Sequence, residues 1–161
     1  GIILSGSSFL GSDNNIIENN IILSNEGHGI HLRYGSTNNT IKNTTISKNY
    51  WGVYLQYSSN NTIKDSIITN NSDHGVYSEY SNDNFINNSN ISNNNDFGVN
   101  LEFSNNITIS DSTVSGNTNN GIHLYSNSVS NDRSINNTIK NNKITDNGGY
   151  GVNLYKSRAT P

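Results

Sequence analysis

The sequence predicts an all-β solenoid, in which one short unit repeats along the chain and equivalent residues stack on one another. Three observations carry this prediction: a glycine recurs every 23 residues, a small apolar set recurs in register with it, and asparagine makes up about a fifth of the chain. The glycine spacing is constant in the middle of the chain, at Gly52, Gly75, Gly98 and Gly121 (75−52, 98−75, 121−98). Self-similarity at a fixed period of this length is typical of solenoid proteins.

Each repeat contains three short apolar segments. Seven repeats begin at Gly1, Gly29, Gly52, Gly75, Gly98, Gly121 and Gly151. The alternation at Val53 and Leu55, and the single apolar positions at Ile63 and Ile68, predict strands with one face inward. A unit of 23 residues suits three such strands joined by tight corners, where Asn, Asp and Gly tolerate a left-handed backbone. Strands this short bury their apolar side chains only when successive coils stack, so about six coils are expected.

Asparagine columns are expected to supply the rest of the stability. About four aliphatic side chains per coil contribute roughly 1.5–3 kcal/mol each, whereas ordering the backbone costs roughly 1–2 kcal/mol per residue. Hydrogen bonds between coils must therefore contribute. One Asn column follows the last apolar position by three residues, and a second, which includes Asn43, is also expected inside. The first column is Asn25, Asn49, Asn71, Asn94, Asn117 and Asn147.

Composition excludes several classes of protein. Only 30% of the residues are hydrophobic, which alone is typical of disorder, but the strict register of these residues argues against it. The net charge of −3 gives no basic footprint for nucleic acid, and no apolar run is long enough for a membrane span. The chain lacks cysteine and methionine and begins inside a repeat. We therefore expect one solenoid domain over residues 1–161 that is a piece of a longer repeat protein.

Two coils are longer than the others. The first has 28 residues (29−1) and the sixth has 30 (151−121), with the extra residues within 5–15 and 126–136. Both insertions follow the apolar pair that comes after the glycine, so both loops are expected at the same corner. Insertions in repeat proteins gather on one face, which is often the binding face.

The repeat resembles that of the parallel β-helix proteins, in particular the NosD-like and pectate-lyase-like solenoids. The shared motif is Gly-Ile/Val-x-Leu followed by Asn-Asn-Thr-Ile-x-Asn, and it is plainest in residues 29–51, 52–74 and 121–151. The resemblance implies a right-handed single-stranded parallel β-helix over nearly the whole chain. It implies less about activity, because the family includes polysaccharide lyases, epimerases, a periplasmic protein linked to copper-enzyme maturation, and surface proteins without chemistry. Fold alone does not give function.

One strip of residues is the candidate binding site. The third and fifth positions of each repeat point outward from the first strand, and equivalent residues of adjacent coils lie about 4.8 Å apart. Aromatic rings with amide and carboxylate groups suit carbohydrate, although such a strip is also typical of an ordinary solvated strand. The predicted carbohydrate-binding residues are His31, Tyr54, Tyr77, Glu79, Asn100, Glu102 and His123.

Other polar groups are expected to be structural. Paired carboxylates on adjacent coils, such as Asp73 and Asp96, could bind Ca²⁺ or carry out acid–base chemistry on sugars, but no Lys, Arg or His is expected to converge on them. His28 and His74 lie two coils apart, about 10 Å, which is too far for one metal ion. We therefore predict no catalytic residues, no metal site and no cofactor, with Ca²⁺ as the alternative. The aromatic column at the sixth position is expected to pack inward: Tyr34, Tyr57, Tyr80 and Phe103.

The first functional hypothesis is a non-enzymatic protein of the cell surface or the extracellular space. It would be a structural or adhesive module that binds polysaccharide or cell-envelope glycan, and it could associate end to end into filaments. The alternative is an enzyme on polysaccharide, a lyase or epimerase, in which Glu79 and Glu102 are needed for activity. A weaker alternative is metal delivery of the NosD type, although the absence of Cys and Met disfavours copper.

Overall fold

Three parallel sheets run the length of the molecule and enclose one apolar core. The structure is a computed structural model and describes residues 1–7, 10–127 and 132–157. Residues 8, 9 and 128–131 of the two long loops, and the last four residues of the predicted domain, lie outside this range. The described part contains β-strands, and none of it forms a helix that is long and apolar enough to cross a membrane.

Sheet I is formed by the strands that follow the repeat glycines. Its strands lie side by side in the order β1-β4-β7-β10-β13-β16-β19, which is every third strand of the chain, as stacked coils require. All of its pairings are parallel, and Val76 pairs with Val53 on one side and Val99 on the other, as predicted. The strands of sheet I are β1 (Ile2–Ser5), β4 (Ile30–Arg33), β7 (Val53–Gln56), β10 (Val76–Glu79), β13 (Val99–Glu102), β16 (Ile122–Asn127) and β19 (Val152–Ser157).

Sheets II and III contain six strands each and follow the same stacking. Each strand is three residues long, and its central apolar residue points into the core. Sheet II consists of β2 (Ile16–Glu18), β5 (Thr40–Lys42), β8 (Thr62–Lys64), β11 (Phe85–Asn87), β14 (Thr108–Ser110) and β17 (Thr138–Lys140). Sheet III consists of β3 (Ile21–Leu23), β6 (Thr45–Ser47), β9 (Ile67–Thr69), β12 (Asn90–Ser92), β15 (Thr113–Ser115) and β18 (Lys143–Thr145).

The first asparagine column forms the predicted buried ladder. Asn71 is buried and its Nδ2 donates to Asn94 Oδ1 at 2.9 Å, while its own Oδ1 accepts from the Asn49 backbone N–H at 3.0 Å. The prediction for the Asn43 column was wrong, because that column lies outside. Asn43 has a φ of 47°, and this left-handed turn between sheets II and III directs its side chain to solvent. The next residue, Thr44, is buried in its place.

Both long loops leave the corner between sheets I and II, as predicted. The first connects β1 to β2 and the second connects β16 to β17. The described end of the second loop returns to the body of the molecule, where Ser134 Oγ donates to the backbone carbonyls of Leu101 and Tyr125. The loops therefore border the edge of sheet I on which its strands end.

Candidate functional site

The outer face of sheet I brings the predicted strip residues together. At the third position, His31, Tyr54, Tyr77, Asn100 and His123 are successive partners in the parallel register. At the fifth position, Glu79 pairs with Glu102 in the same register. The strip is therefore continuous over five coils, as the repeat alignment predicted.

Three strip residues are nevertheless buried, so the expectation of a solvated strand was wrong for them. His31, Tyr54 and Asn100 retain 7%, 6% and 2% of their accessible surface. The cause is the residue before each repeat glycine, which folds over the strand. The Trp51 ring lies edge-on to Tyr54 and Tyr77 with centroids 4.6 and 4.8 Å away. We call these covering residues the aromatic cover: His28, Trp51, His74 and Phe97.

The aromatic cover is a continuous stack, as expected for residues beside the glycine corner. Ring centroids lie 4.5 Å apart for His28–Trp51, 6.0 Å for Trp51–His74 and 5.1 Å for His74–Phe97. His123 continues the stack on Phe97 at 4.6 Å. His74 therefore lies between two aromatic rings in the middle of the molecule.

Two phenol–carboxylate pairs line the open side of the strip. The Tyr54 hydroxyl donates to the Glu79 carboxylate, which also accepts from Gln56 Nε2 at 3.2 Å. The Tyr77 hydroxyl donates to Glu102 Oε2 at 2.9 Å. Burial, together with the adjacent carboxylates, raises the pKa of both phenols, so Tyr54 and Tyr77 stay protonated at neutral pH.

A histidine lies between two carboxylates beside these pairs. His74 Nδ1 is 3.1 Å from Asp73 Oδ1 and 3.5 Å from Asp96 Oδ2. The expectation that no histidine would converge on the paired carboxylates was therefore wrong. Asp73 and Asp96 occupy the same position of successive coils (96−73 = 23), and stacking brings the second carboxylate to the imidazole of the first coil. We call these three residues the Asp-His-Asp cluster.

The other side of the His74 ring connects the cluster to the strip. His74 Nε2 lies 3.3 Å from Asn100 Nδ2, and the same amide donates to Glu102 Oε1 at 3.2 Å. Burial lowers the pKa of His74, and the negative charges of Asp73, Asp96 and Glu102 oppose this effect only in part. The imidazole is therefore neutral at neutral pH.

The two histidines at the ends of the strip lie outside this network. His31 stacks on the Tyr54 ring at 4.5 Å, and burial, with the positive charges of His28 and Arg33, lowers its pKa to about 4. Burial also lowers the pKa of His123. The strip thus divides into a central part with Tyr77, Glu79, Asn100 and Glu102, and two histidine ends that serve packing.

The aromatic column at the sixth position points outward, so its predicted inward packing was wrong. Tyr34 and Tyr57 retain 47% and 49% of their accessible surface. All four residues have left-handed φ angles, 53° at Tyr34 and 52° at Phe103, which breaks the strand alternation and directs the rings out. Buried serines fill the interior positions instead, for example Ser58 after Tyr57. An open cleft of about 510 Å³ lies between this column and the loop segment that carries Asp132.

The sequence matches the family model described as the right-handed beta helix region, over residues 2–132 and again over residues 40–161. The chain belongs to the right-handed β-helix family. The right-handed parallel β-solenoid class implied by the resemblance is thereby established. No curated protein matches the chain at the level of sequence.

Solved structures share the β-helix fold at low sequence identity. A double mutant of the periplasmic alginate epimerase AlgG is 22% identical, with a TM-score of 0.82 over 91% of this chain. The A-module of the Azotobacter vinelandii mannuronan C-5 epimerase AlgE4 is 15% identical, with a TM-score of 0.69 over 92%. The pectate lyase Pel9A is 18% identical, with a TM-score of 0.61 over 92%.

This β-helix spans 34%, 54% and 48% of the lengths of those three chains. At such identities the likeness shows the fold alone. The structural neighbours of this fold are thus enzymes named for alginate, mannuronan and pectate.

The Asp-His-Asp cluster contradicts the expectation that no histidine converges on Asp73 and Asp96, because His74 directly follows Asp73 in the chain. The signal that could have found it is the Asp73-His74 dipeptide followed one repeat later by Asp96. In a solenoid, residues one period apart are neighbours, so the carboxylate column and the histidine column had to be considered together.

Proposed function

We propose that this β-helix acts on polysaccharide at the centre of the outer face of sheet I, as a lyase or an epimerase. The observation that carries the proposal is the hydrogen-bonded Tyr77–Glu102 pair beside the Asp-His-Asp cluster, on a partly open face of the sheet. The structural neighbours, which include alginate epimerases and a pectate lyase, support a polysaccharide substrate. The location that we propose is outside the cytoplasm, as for the periplasmic epimerase.

The chemistry needs one group that accepts a proton and one that donates a hydrogen bond or a proton. Both reactions begin when a base removes the proton from the sugar carbon next to the uronate carboxylate. We assign Glu102 as the base and the Tyr77 hydroxyl as the donor. An epimerase then returns a proton to the opposite face of that carbon, whereas a lyase expels the glycosidic oxygen, which takes a proton, and leaves a carbon–carbon double bond.

The test is an activity screen on defined polymers. The intact chain is incubated with polymannuronate, polyguluronate and polygalacturonate, and with neutral xylan and mannan as comparison substrates. Proton NMR reports epimer content, and ultraviolet absorbance reports unsaturated ends. We expect turnover of one uronate polymer, with a loss of about 100-fold or more in Glu102→Gln. Glu18→Gln removes an exposed carboxylate of β2 in sheet II, outside this face, and should leave activity unchanged.

The outcome that would overturn the proposal is a folded protein that turns over none of these polymers. Equal activity of Glu102→Gln and the unmodified chain would remove Glu102 from the role of base. Tyr77→Phe distinguishes the two roles, because it keeps the ring that packs against Trp51 and removes only the hydroxyl.

A second candidate function is a non-enzymatic module that binds glycan at the cell surface. The observation that favours it is that the polar groups of the strip largely satisfy one another, as Tyr54 and Gln56 do with Glu79. Such a surface recognises a polymer without reacting with it. Binding on a glycan array, with retention of the bound glycan unchanged, would support this function over the enzyme.

End-to-end association into filaments stays a prediction. Leu154 and Ile21, which lie in the last and first coils, retain 76% and 78% of their accessible surface. Exposed apolar side chains at such positions favour contact with a further coil. Light scattering across a concentration series is the measurement: growth in mass supports the prediction, and a constant monomer mass contradicts it.

A further inference from the structure

We propose that Asp73, His74 and Asp96 form a binding site for one divalent transition-metal ion, with Zn²⁺ as the reference ion. One donor atom from each of the three residues lies within 4.8 Å of the other two. In a tetrahedral zinc site, bonds of about 2.0–2.1 Å to nitrogen and oxygen place neighbouring ligand atoms about 3.3 Å apart. The separations from His74 Nδ1 to the two carboxylates, 3.1 and 3.5 Å, bracket that value.

The second observation is that two of the three donor atoms are buried without hydrogen bonds. His74 keeps only 8% of its accessible surface. Within the described part of the chain, His74 Nδ1 and Asp73 Oδ1 make no hydrogen bond of acceptable geometry, although they face each other. Buried polar atoms without partners are rare and costly. One cation between them would satisfy both.

Other histidines do not offer the same arrangement. His28 and His123 also have a buried Nδ1 without a hydrogen bond. Among the residues that the structure describes, however, the Asp-His-Asp cluster is the one group of three His, Asp or Glu side chains whose donor atoms are close enough to share an ion. A buried ring nitrogen without a hydrogen bond therefore also occurs at His28 and His123. Within the described residues, two carboxylates converge on such a nitrogen at His74.

The donor set selects the class of metal ion. Imidazole nitrogen with carboxylate oxygen suits zinc and its neighbours in the first transition series, whereas Ca²⁺ and Mg²⁺ prefer oxygen ligands throughout. The side chains of Asp73 and Asp96 are 26% and 34% exposed, so solvent reaches the cluster from one side. Three protein ligands with an open side are the arrangement of metal sites that bind water or substrate.

Asn100 is a positioning residue for this site. A metal on His74 Nδ1 requires the proton to reside on Nε2, which then needs an acceptor. Asn100 lies 3.3 Å from Nε2, and its Oδ1 is buried without a partner in the described structure. Rotation of the amide by half a turn directs that oxygen to Nε2–H, but it also breaks the hydrogen bond from Nδ2 to Glu102 Oε1 and requires that carboxylate to shift.

The site would also complete the proposed polysaccharide reaction, and this consequence alone rests on the proposed function. Asp73 and Asp96 contact His74, Glu102 accepts from Asn100, and Glu79 pairs with Glu102, so four carboxylates border the site that we propose for a uronate. Within residues 1–7, 10–127 and 132–157, the contacts of Asp73 and Asp96 with a basic side chain are made with His74, whose imidazole is neutral at neutral pH. A divalent cation would offset the repulsion between these carboxylates and the uronate. Metal binding itself is tested without any substrate.

The experiment measures ion binding to the chelator-treated chain. Isothermal titration and native mass spectrometry with Zn²⁺, Mn²⁺ and Ca²⁺ should give one saturable Zn²⁺ per chain and a higher melting temperature with Zn²⁺. Trp51 is the only tryptophan, and its ring is parallel to His74 at 6.0 Å. Ni²⁺ or Co²⁺ in the same site should therefore quench its fluorescence, and Zn²⁺ should compete with that quenching.

Variants decide between this site and adventitious binding. His74→Gln and Asp96→Asn should each weaken binding by about 100-fold or more, and Asn100→Ala by about 10–100-fold. Asp111 is exposed at a corner and has a left-handed φ of 52°, which Asn also tolerates. Asp111→Asn removes its carboxylate and should leave metal binding unchanged. Binding that is equal in Asp96→Asn and the unmodified chain, or absent altogether, would overturn the proposal. If His74→Gln does not fold, Asp96→Asn still decides.

Discussion

The glycine that begins each coil is required by space rather than by its backbone angles. Gly75 has no left-handed φ, but a Cβ built on it would lie 2.6 Å from the Gly98 carbonyl oxygen and 2.7 Å from both Asn94 Nδ2 and Ile91 Cγ2. Two of these three neighbours belong to the tightly packed interior. We therefore expect Gly75→Ala to lower the free energy of unfolding by about 1–3 kcal/mol, measured by chemical denaturation.

The matched control is the glycine at position 27. A Cβ on Gly27 would meet no atom within 4 Å, and its backbone is not left-handed. Gly27→Ala should leave stability unchanged or raise it by about 0.4–1 kcal/mol, because alanine restricts the unfolded chain. Equal losses in the two variants would show that close approach is not the reason for the glycine column.

The histidine at the end of the strip makes stability depend on pH. The pKa of His31 falls from 6.5 to about 4 in the folded state because of burial and the nearby positive charges of His28 and Arg33. The unfolded chain therefore takes up a proton near pH 6.5, and the folded chain only near pH 4. The contribution of neutral His31 is complete above pH 6.5 and decreases as the pH falls towards 4.

The measurement is the melting temperature between pH 7.5 and 4, compared with His31→Phe. Phenylalanine keeps a ring against Tyr54, whose centroid lies 4.5 Å from that of His31, and does not titrate. We expect the melting temperature of the unmodified chain to fall more steeply with acid than that of the variant. Parallel curves would contradict the assigned role of His31.

At the scale of the element, hydrogen bonds of the asparagine ladder supply stability that a larger apolar core supplies in other proteins. Asn71 Oδ1 accepts from the Asn49 backbone N–H at 3.0 Å, and its Nδ2 donates to Asn94 Oδ1 at 2.9 Å. Asn71→Ala would leave the buried Asn49 N–H without its acceptor. We expect a loss of at least about 1–3 kcal/mol in the free energy of unfolding, measured by chemical denaturation.

Asn95→Ala is the comparison for the ladder. Asn95 is exposed, and its described hydrogen bond is the backbone contact from its N–H to the Asn71 carbonyl, which alanine retains. Its effect should stay within about 0.5 kcal/mol. If both substitutions cost the same, the ladder amides contribute nothing beyond their backbone.

The order of strands and the register of sheet I could be predicted because a constant repeat length determines which residues of successive coils pair. Val76 had to lie between Val53 and Val99 once the period was 23. The outward turn of Tyr57 could not be predicted from alternation, because one left-handed residue reverses the inside and the outside. Left-handed angles at aromatic residues are uncommon, and no local sequence signal marks them.

At the scale of the whole molecule, the candidate site depends on what covers a strand as well as on the strand. Tyr54 and Asn100 were correctly placed on the outer face, yet both are buried. The cover comes from residues such as Trp51 that precede the glycine and fold back across the sheet. Such long-range covering follows from corner geometry, which a repeat alignment does not contain.

The stack of coils also determines where the protein opens first. Each coil contacts only the coils before and after it, so stability is close to a sum over neighbours. Core residues of the middle coils, such as Ile68 and Ile91, are fully buried, whereas Ile17 and Ile22 of the first coil keep 7% exposure and Ile144 of the last is only partly buried. A coil with one neighbour lacks half of the stabilising contacts that a middle coil makes with adjacent coils.

We therefore expect hydrogen exchange in this chain to be slowest in β7 to β15 and faster in β2, β3, β17 and β18, measured by mass spectrometry of proteolytic fragments. Gly75→Ala should accelerate exchange first in β10, β12 and β13, because the added Cβ would meet Ile91, Asn94 and the Gly98 carbonyl of the next coil. Uniform protection along the chain, or a uniform response to that substitution, would mean that the coils open together. The interactions between neighbours would then be too strong for any single coil to act as a unit.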